Sequence, residues 1–295
     1  MAERSYHIGP HRYDAQSIDA GLHVVATPIG NLGDITIRAL NVLAAADYIL
    51  CEDTRITSRL LERYGIRNTM KPYHEHNAEK VRPAIIAALQ DGKSFALVSD
   101  AGVPLVSDPG YRLVQSCIAE GLVVTGVPGA SATLTALALS GLPTDCFTFI
   151  GFLPQKSKAR REMLLGFKKL PSTLIAFESP HRIIDALADV ATALGDRPLA
   201  VARELTKIHE EVLRGTALEV AAVLATRESV KGEIVLVIGP AQGEIEVIAE
   251  EDIESAIAAA LQDYAASKAA TIVAKNLGLK KEDIYARILK LKGEA

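Results

Sequence analysis

A chain of 295 residues that is 49% hydrophobic has enough apolar surface for one large domain or two modest ones, which excludes a wholly disordered protein. A formal net charge of −4 excludes a generally basic coat for nucleic acid, so any contact with phosphate must come from local clusters. The cysteines Cys51, Cys117 and Cys146 are far apart and form no C-x-x-C pair, which points to a reducing, cytoplasmic compartment and not to a disulfide framework.

Residues 1–20, which open "MAERSYHIGPHRYDAQ", lack the apolar centre of a secretory signal and read as a flexible tail. "LHVVA" (22–26) reads as a buried strand and "IRALNVLAAA" (37–46) as a helix, with Asp34 or Thr36 placed to cap it. "YILCE" (48–52) is strand-like, and "ITSRLLERYG" (56–65) is a helix stopped by Gly65. Asn77 stands at the cap of a helix ending at Gly92. A strand over 94–99, a helix over 109–120, a strand over 122–127 and a helix over 130–139 follow. Short strands, apolar on both faces and separated by helices, predict a largely parallel sheet covered on both sides. This is an N-terminal α/β domain over 21–143.

The pattern breaks in "SGLPTDCFTFIGFLPQKSK" (140–158), where Pro143 and Pro154 bracket an aromatic run, and 144–154 reads as a linker. A second α/β domain over 155–240 contains helices over 156–169 and 180–194. Its strands are "TLIAF" (173–177), "LAVAR" (199–203), "HEEVLRGT" (209–216) and "GEIVLVIG" (232–239). "PAQGEIEV" (240–247) is linker-like, and 248–295 form a small helical domain that resembles a helix-turn-helix with Gly278 at its turn. No segment approaches the ~20 uninterrupted apolar residues of a membrane span, so no membrane partner is expected.

Three loops share one design, an apolar strand followed by a Gly/Pro-rich turn and a helix: "TPIGNLGD" (27–34), "SDAGVPLVSDPG" (99–110) and "VPGASA" (127–132). In an open parallel sheet such loops line one edge, where ligands bind. Glycine lets the backbone approach a ligand closely, and a helix beginning near Ser131 adds free N–H groups. In "VSDPG" the second turn reads as structural, with Ser107 or Asp108 as cap and Pro109 at the first helical position. Neither G-x-G-x-x-G nor G-x-x-x-x-G-K-[ST] occurs, so the common dinucleotide and P-loop readings fail.

"VVATPIGNLGDITIRAL", "CEDTR", "HEHN", "VSDAGVPLVSDPG", "VPGASA" and "AFESPHR", in this order, resemble the tetrapyrrole-methylase superfamily of S-adenosylmethionine-dependent methyltransferases. The likeness covers residues 20–240 and is closest to the branch that methylates a cytidine ribose 2′-hydroxyl in the decoding region of 16S rRNA. It implies two α/β domains with the methyl donor folded into the cleft between them, and a homodimer. By that resemblance Asp100, Ala101, Gly102 and Val103 wrap the donor. Pro28 covers it from the first loop, Ser131 and Ala132 touch it from the third, and Phe177, Glu178 and Leu205 close over its adenine. A ligand with a sulfonium, an ammonium and a flat ring suits carboxylates, backbone groups and apolar walls.

Transfer of a methyl group to a hydroxyl is an in-line displacement that needs alignment, exclusion of water and loss of a proton, and no metal. Glu52, Asp53 and Arg55 follow a strand and reach the donor edge, although Glu52 and Asp53 equally suit the cap of the next helix. His74 is a substrate-contact candidate with Asn77, and His74 and His76 lack the further ligands a metal needs. Glu178 and Arg182 stand at the cleft lip, where Arg182 is placed to hold a phosphate or to form a surface ion pair. Catalytic candidates are thus Glu52, Asp53, His74 and Glu178.

Two segments are basic. Residues 155–169 carry six Lys/Arg and one Glu, and 268–292 carry seven Lys/Arg and two acids. Arg55, Lys156, Lys158, Arg160, Arg161, Arg182, Lys268, Lys275, Lys280 and Lys281 are the expected RNA contacts, within 16S rRNA and the small ribosomal subunit. Solvated helix faces are the plain alternative. An aromatic content of 5% argues against a stacking platform for long single strands, and no DNA partner is expected. A small-molecule tetrapyrrole methyltransferase would share the donor site without needing a basic tail. A non-catalytic RNA-binding assembly factor would keep the fold with an emptied cleft.

Overall fold

The computed structural model describes residues 4–106, 109–241, 250–277 and 281–291. The chain forms two compact units, Met1–Ala241 and Gln242–Ala295.

The first unit opens with an antiparallel hairpin of β1 (Ser5–Ile8) and β2 (His11–Asp14). The expectation of a loose tail over 1–20 is therefore corrected. Tyr6 is buried beside Leu43 and Ala46, the His7 N–H donates to the Tyr64 carbonyl at 2.7 Å, and Arg4 pairs with Asp47 at 3.1 Å. A four-residue alternation is too short to announce a strand, and an isolated hairpin is marginal in water, so docking onto the domain stabilises it.

The first sheet then builds from alternating strands and helices. These are β3 (Gly21–Val25), α1 (Ile37–Ala45), β4 (Tyr48–Cys51), α2 (Thr54–Arg63), β5 (Met70–Pro72), α3 (Ala78–Gln90), β6 (Ser94–Leu97), α4 (Tyr111–Ala119), β7 (Val124–Val127) and α5 (Ala132–Ser140). Its order is β5-β4-β6-β3-β7, and every pair is parallel. The side-chain period of two sends alternate strand residues to opposite faces. Ala96 and Val98 join the core under α1 and α2, while Phe95 and Leu97 join the core under α3 and α4.

Three local details differ from the sequence reading. α4 begins at Tyr111 with Gly110 as its cap at φ +132°, not at Pro109, while Ser107 and Asp108 lie outside the described residues. A Cβ on Gly110 would stand 2.9 Å from Leu97 Cδ2, so a close approach to the strand fixes the helix start. Asn77 precedes α3 but its side chain does not cap it. Its Oδ1 accepts from the His74 N–H at 2.9 Å and its amide donates to the Pro72 carbonyl at 2.9 Å, bracing the loop 72–77.

The second sheet is mixed, with the order β11-β10-β12-β9-β8. It comprises β8 (Phe147–Phe152), β9 (Thr173–Glu178), β10 (Leu199–Arg203), β11 (Glu211–Gly215) and β12 (Ile234–Ile238), and only β8 and β9 run parallel. Residues 147–152 of the expected linker are thus an edge strand. Pro143 and Pro154 lie outside it, and proline beside an edge strand forfeits no ladder bond. Helices α6 (Ser157–Leu165), α7 (Ile183–Leu194) and α8 (Ala217–Ala225) flank the sheet, and the core on their side includes Leu164, Leu187 and Leu224. The other face is covered by α5, whose Ala136 and Leu137 meet Ile175, Ala200 and Val237. A helix belonging in sequence to the first sheet therefore packs on the second, which joins the two lobes into one unit.

The second unit comprises α9 (Glu250–Asp263), α10 (Ala266–Leu277) and α11 (Lys281–Leu291) around Ile257, Ala270, Val273, Ile284 and Ile288. Gly278 and Lys280 lie outside the described residues. No helix among the described residues is long and apolar enough to cross a membrane.

Candidate functional site

The turn after β6 is tied to the turn after β3 by reciprocal backbone bonds. The Thr27 N–H donates to the Gly102 carbonyl at 2.8 Å, and the Gly102 N–H to the Thr27 carbonyl at 3.0 Å. The Thr27 hydroxyl donates to the Ser99 carbonyl at 3.1 Å. Gly102 sits at φ +81°, where a Cβ would meet Ile29 Cγ2 at 3.2 Å. Two of the three Gly/Pro loops are thereby held as one rigid rim. The third loop ends in Ser131, which caps α5 by accepting from the Leu134 N–H at 3.4 Å.

Between this rim and the second sheet lies a cavity of about 470 Å³. From the first lobe it is walled by Ile29, Glu52, Asp100–Val103, Val106 and the start of α5 at Ser131, Ala132 and Thr133. From the second lobe come Phe152, Phe177–Pro180 and Gly232–Val235. The strand directions explain the second set. Because β12 runs antiparallel to β9, its beginning lies beside the end of β9, pairing Ile234 with Glu178 and Val235 with Phe177. β8 runs parallel to β9 and delivers Phe152 next to Phe177, with ring centroids 5.3 Å apart.

Two carboxylates stand on the first-lobe wall. Asp100 Oδ1 accepts from the Asp53 N–H at 3.1 Å. Burial pushes the Asp100 carboxyl above its ordinary range; the hydrogen bond from the Asp53 N–H opposes this, and the Asp53 charge adds a smaller push upward. Burial raises Glu52 likewise, reinforced by Asp100. On the opposite wall the Glu178 side chain is fully buried. Its Oε1 accepts from Arg182 Nε at 2.9 Å and Nη2 at 2.6 Å, while its Oε2 has no hydrogen-bond partner among the described residues.

Beside the cavity lies an open depression of about 440 Å³, lined by Glu52, Asp53, Thr54, Arg55, Pro72, His74, His76 and Asp100. The two hollows share Glu52 and Asp100. His74 Nδ1 is buried without a hydrogen-bond partner among the described residues, and its ring meets that of His76 edge-on at 6.0 Å. Asp53 caps α2, accepting from the Arg55 N–H at 2.8 Å, and pairs with the Arg55 guanidinium at 2.6 Å. That guanidinium holds the Asp53 carboxyl down at about 2, which makes it a weak proton acceptor. The cap reading of Asp53 is thus seen directly, and Arg55 pairs with Asp53 while staying exposed. Among the described residues no group of three or more His, Cys, Asp or Glu is placed to hold a metal ion.

Two donor-site candidates lie off the cavity wall. Pro28 lines a neighbouring hollow of about 410 Å³ that borders Asp100 and Ala101. Leu205 is buried in the core between the lobes, with Ile29 and Val235. Among the expected RNA contacts, Arg160 is corrected. Its side chain is 3% exposed and pairs with Asp189 through Nε at 2.8 Å and Nη2 at 2.7 Å. Arg160 and Leu164, four residues apart on α6, face inward together. Lys156, Lys158 and Arg161 are exposed, Arg161 lying 3.6 Å from Asp189. Arg182 pairs with Glu178 at 2.6 Å. Lys268 is exposed with its ammonium over the Tyr264 ring at 4.8 Å, and Lys275 and Lys281 are exposed.

Sequence reasoning missed Phe152, Thr133, Val106, Pro180 and Gly232–Val235. Phe152 had a signal, an aromatic residue closing an alternating run. Gly232–Val235 had none, because only the antiparallel placement of β12 brings its start to the cavity.

The cavity has the volume of a small-molecule site and fits S-adenosylmethionine. Glu52 and Asp100 carry no ion pair among the described residues and suit a sulfonium and an ammonium. Phe152 and Phe177 suit a flat ring, and the orphan Glu178 Oε2 suits an N–H donor.

Comparison with known proteins agrees with this geometry. Residues 21–221 match the family model of the Tetrapyrrole (Corrin/Porphyrin) Methylases, and residues 247–292 match that of the RsmI C-terminal HTH domain. The ribosomal RNA small subunit methyltransferase I of Mesorhizobium japonicum is 49% identical over 97% of this chain and 97% of its own. Its counterpart from Escherichia coli O157:H7 is 41% identical over 95% and 98%. The crystal structure of cobalt precorrin-4 methyltransferase, an enzyme of cobalamin biosynthesis, shares the fold at a TM-score of 0.55 and 19% identity, over 74% of this chain and 94% of that one. A shared donor fold, a matching appended helical domain and end-to-end likeness converge: the chain belongs to the ribosomal RNA small subunit methyltransferase I family of the tetrapyrrole methylases.

Proposed function

We propose that this protein transfers the methyl group of S-adenosylmethionine to the 2′-hydroxyl of a cytidine ribose in the decoding region of 16S rRNA, acting in the cytoplasm as a homodimer on the small ribosomal subunit. The observation that carries the reading is the shared carboxylate wall. Glu52 and Asp100 line both the enclosed cavity and the open depression, so a bulky acceptor can meet the donor without entering the enclosed space.

S-adenosylmethionine supplies an electrophilic methyl carbon on a sulfonium. Asp100 and the turn through Gly102 hold the charged end of the donor, Phe152 and Phe177 flank its adenine, and the rim tied at Thr27 keeps these groups fixed. Holding two reactants in line contributes up to about 7–11 kcal/mol to such a displacement, so alignment supplies much of the rate. Exposed Lys156, Lys158 and Arg161 on one unit, and Lys268, Lys275 and Lys281 on the other, supply phosphate contacts that an acidic protein otherwise lacks. A porphyrinoid acceptor would leave the helix-turn-helix unit without a task.

The test is a map of ribose methylation on 16S rRNA from cells with and without the protein, paired with methyl transfer by purified protein to isolated small subunits. Loss of one cytidine 2′-O-methyl group in the deleted strain, restored in vitro, is the expected outcome. An unchanged map rejects the reading.

A further inference from the structure

We propose that Glu52 is the catalytic residue that takes the proton from the acceptor hydroxyl. This inference rests on the reaction proposed above and assigns its proton.

Geometry selects Glu52 from the acidic and basic groups around the two hollows. The proton-accepting group must stand where donor and acceptor meet, and among the described residues Glu52 and Asp100 alone line both hollows. Asp100 Oδ1 is already bonded to the Asp53 N–H, which holds that carboxylate in the rim. No hydrogen bond or ion pair engages the Glu52 carboxylate among the described residues. Asp53 is neutralised by Arg55. Glu178 lines the cavity but not the depression and is tied to Arg182, while His74 lines the depression but not the cavity. Glu52 is placed by its fold position, directly after β4 and before the Asp53 cap, so the strand end and the helix start both fix its backbone.

The step balances without a further reactant. The acceptor oxygen forms a bond to the methyl carbon as the carbon–sulfur bond breaks, and that bond pair stays on sulfur. The hydroxyl proton passes to a Glu52 carboxylate oxygen and then to water. The charged groups facing Glu52 are Asp100 from the turn after β6, Asp53 from the start of α2, and His74 and Glu75 from the loop after β5, with Arg55 lining the same depression. Burial and the acidic neighbours Asp100, Asp53 and Glu75 raise the proton affinity of this carboxylate, with His74 opposing them, which makes it a better proton acceptor than an exposed glutamate.

The experiment measures methyl transfer to isolated small subunits at saturating donor from pH 5 to 8, for the full chain and for Glu52→Gln and Glu52→Asp, with calorimetry of S-adenosylhomocysteine on each. The expected result for Glu52→Gln is a kcat lowered at least about 100-fold with product affinity unchanged within about threefold. The acid limb of the kcat profile should disappear in that variant, and Glu52→Asp should keep the limb at an intermediate rate. Glu52→Gln with kcat within about fivefold of wild type and the same acid limb overturns the proposal. Parallel loss of affinity and kcat makes Glu52 a binding residue and overturns it too. Wild-type protein that methylates no ribose oxygen refutes the functional reading itself, and the proposal with it.

Discussion

Thr27 and Gly102 exchange two backbone hydrogen bonds, of 2.8 and 3.0 Å, across turns 75 residues apart in sequence. The exchange fixes the rim of the cavity, and it requires Gly102 to hold φ +81° against Ile29. Gly102→Ala should therefore cost about 1–3 kcal/mol of stability from the strained backbone alone. Donor affinity should fall as well, because Ala101 and Val103 shift with the turn. Urea denaturation and calorimetry with S-adenosylmethionine check the pair, and a variant that changes neither refutes a rim set by this bridge.

Asp100 stands to weaken the fold slightly while strengthening donor binding. Burial raises its pKa in the folded, donor-free protein, so the folded state binds a proton more tightly than the unfolded chain. Desolvation of the charge therefore destabilises the fold at neutral pH, and this penalty fades as pH falls through the raised value. Asp100→Asn keeps an oxygen for the Asp53 N–H and should leave stability unchanged or improved, while weakening S-adenosylmethionine by at least about tenfold, or 1.4 kcal/mol. In wild type, donor affinity should fall on acidification sooner than an ordinary aspartate would dictate. Thermal melts and calorimetry at several pH values report both arms, and full affinity in the variant would displace the donor from this wall.

Arg160 and Asp189 form a buried ion pair, and removing Arg160 leaves the Asp189 carboxylate with only the Ser157 hydroxyl at 2.8 Å and the exposed Arg161 at 3.6 Å. Arg160→Ala should cost about 3–5 kcal/mol of stability. Lys158→Ala, on the exposed face of the same helix α6, should leave stability within about 0.5 kcal/mol. Chemical denaturation separates the two, and equal effects would mean that Arg160 is not the inward-facing residue of that basic run.

Residues Met1–Ala241 form a compact unit of their own. A chain ending at Ala241 should keep donor affinity within about threefold and lose RNA affinity. The slope of log affinity against log salt should fall by about 0.7–0.9 for each phosphate contact removed. Equal loss of donor and RNA binding would show that the helical unit supports the fold and does not engage substrate.

Much of this protein was legible before folding was considered, because the informative signals are local. Strand and helix periods, Gly and Pro at turns, the Ser131 cap and the parallel first sheet all depend on residues within a few positions of one another. The edge loops around Asp100 and Gly102 follow from the same rule, since parallel strands put their following turns on one side. Composition likewise identified the two basic segments.

Other features were settled only when distant residues met. Tyr6 is too brief a signal to order its hairpin until Leu43 and Ala46 cover it. Nothing adjacent in sequence reveals that Arg160 will find Asp189, so a basic run concealed one inward-facing member. The antiparallel placement of β12 carries Gly232–Val235 to the cavity, and α5 crosses to cover the second sheet. Local propensity chose the elements, whereas burial and charge pairing between distant segments chose which side chains remained free to bind.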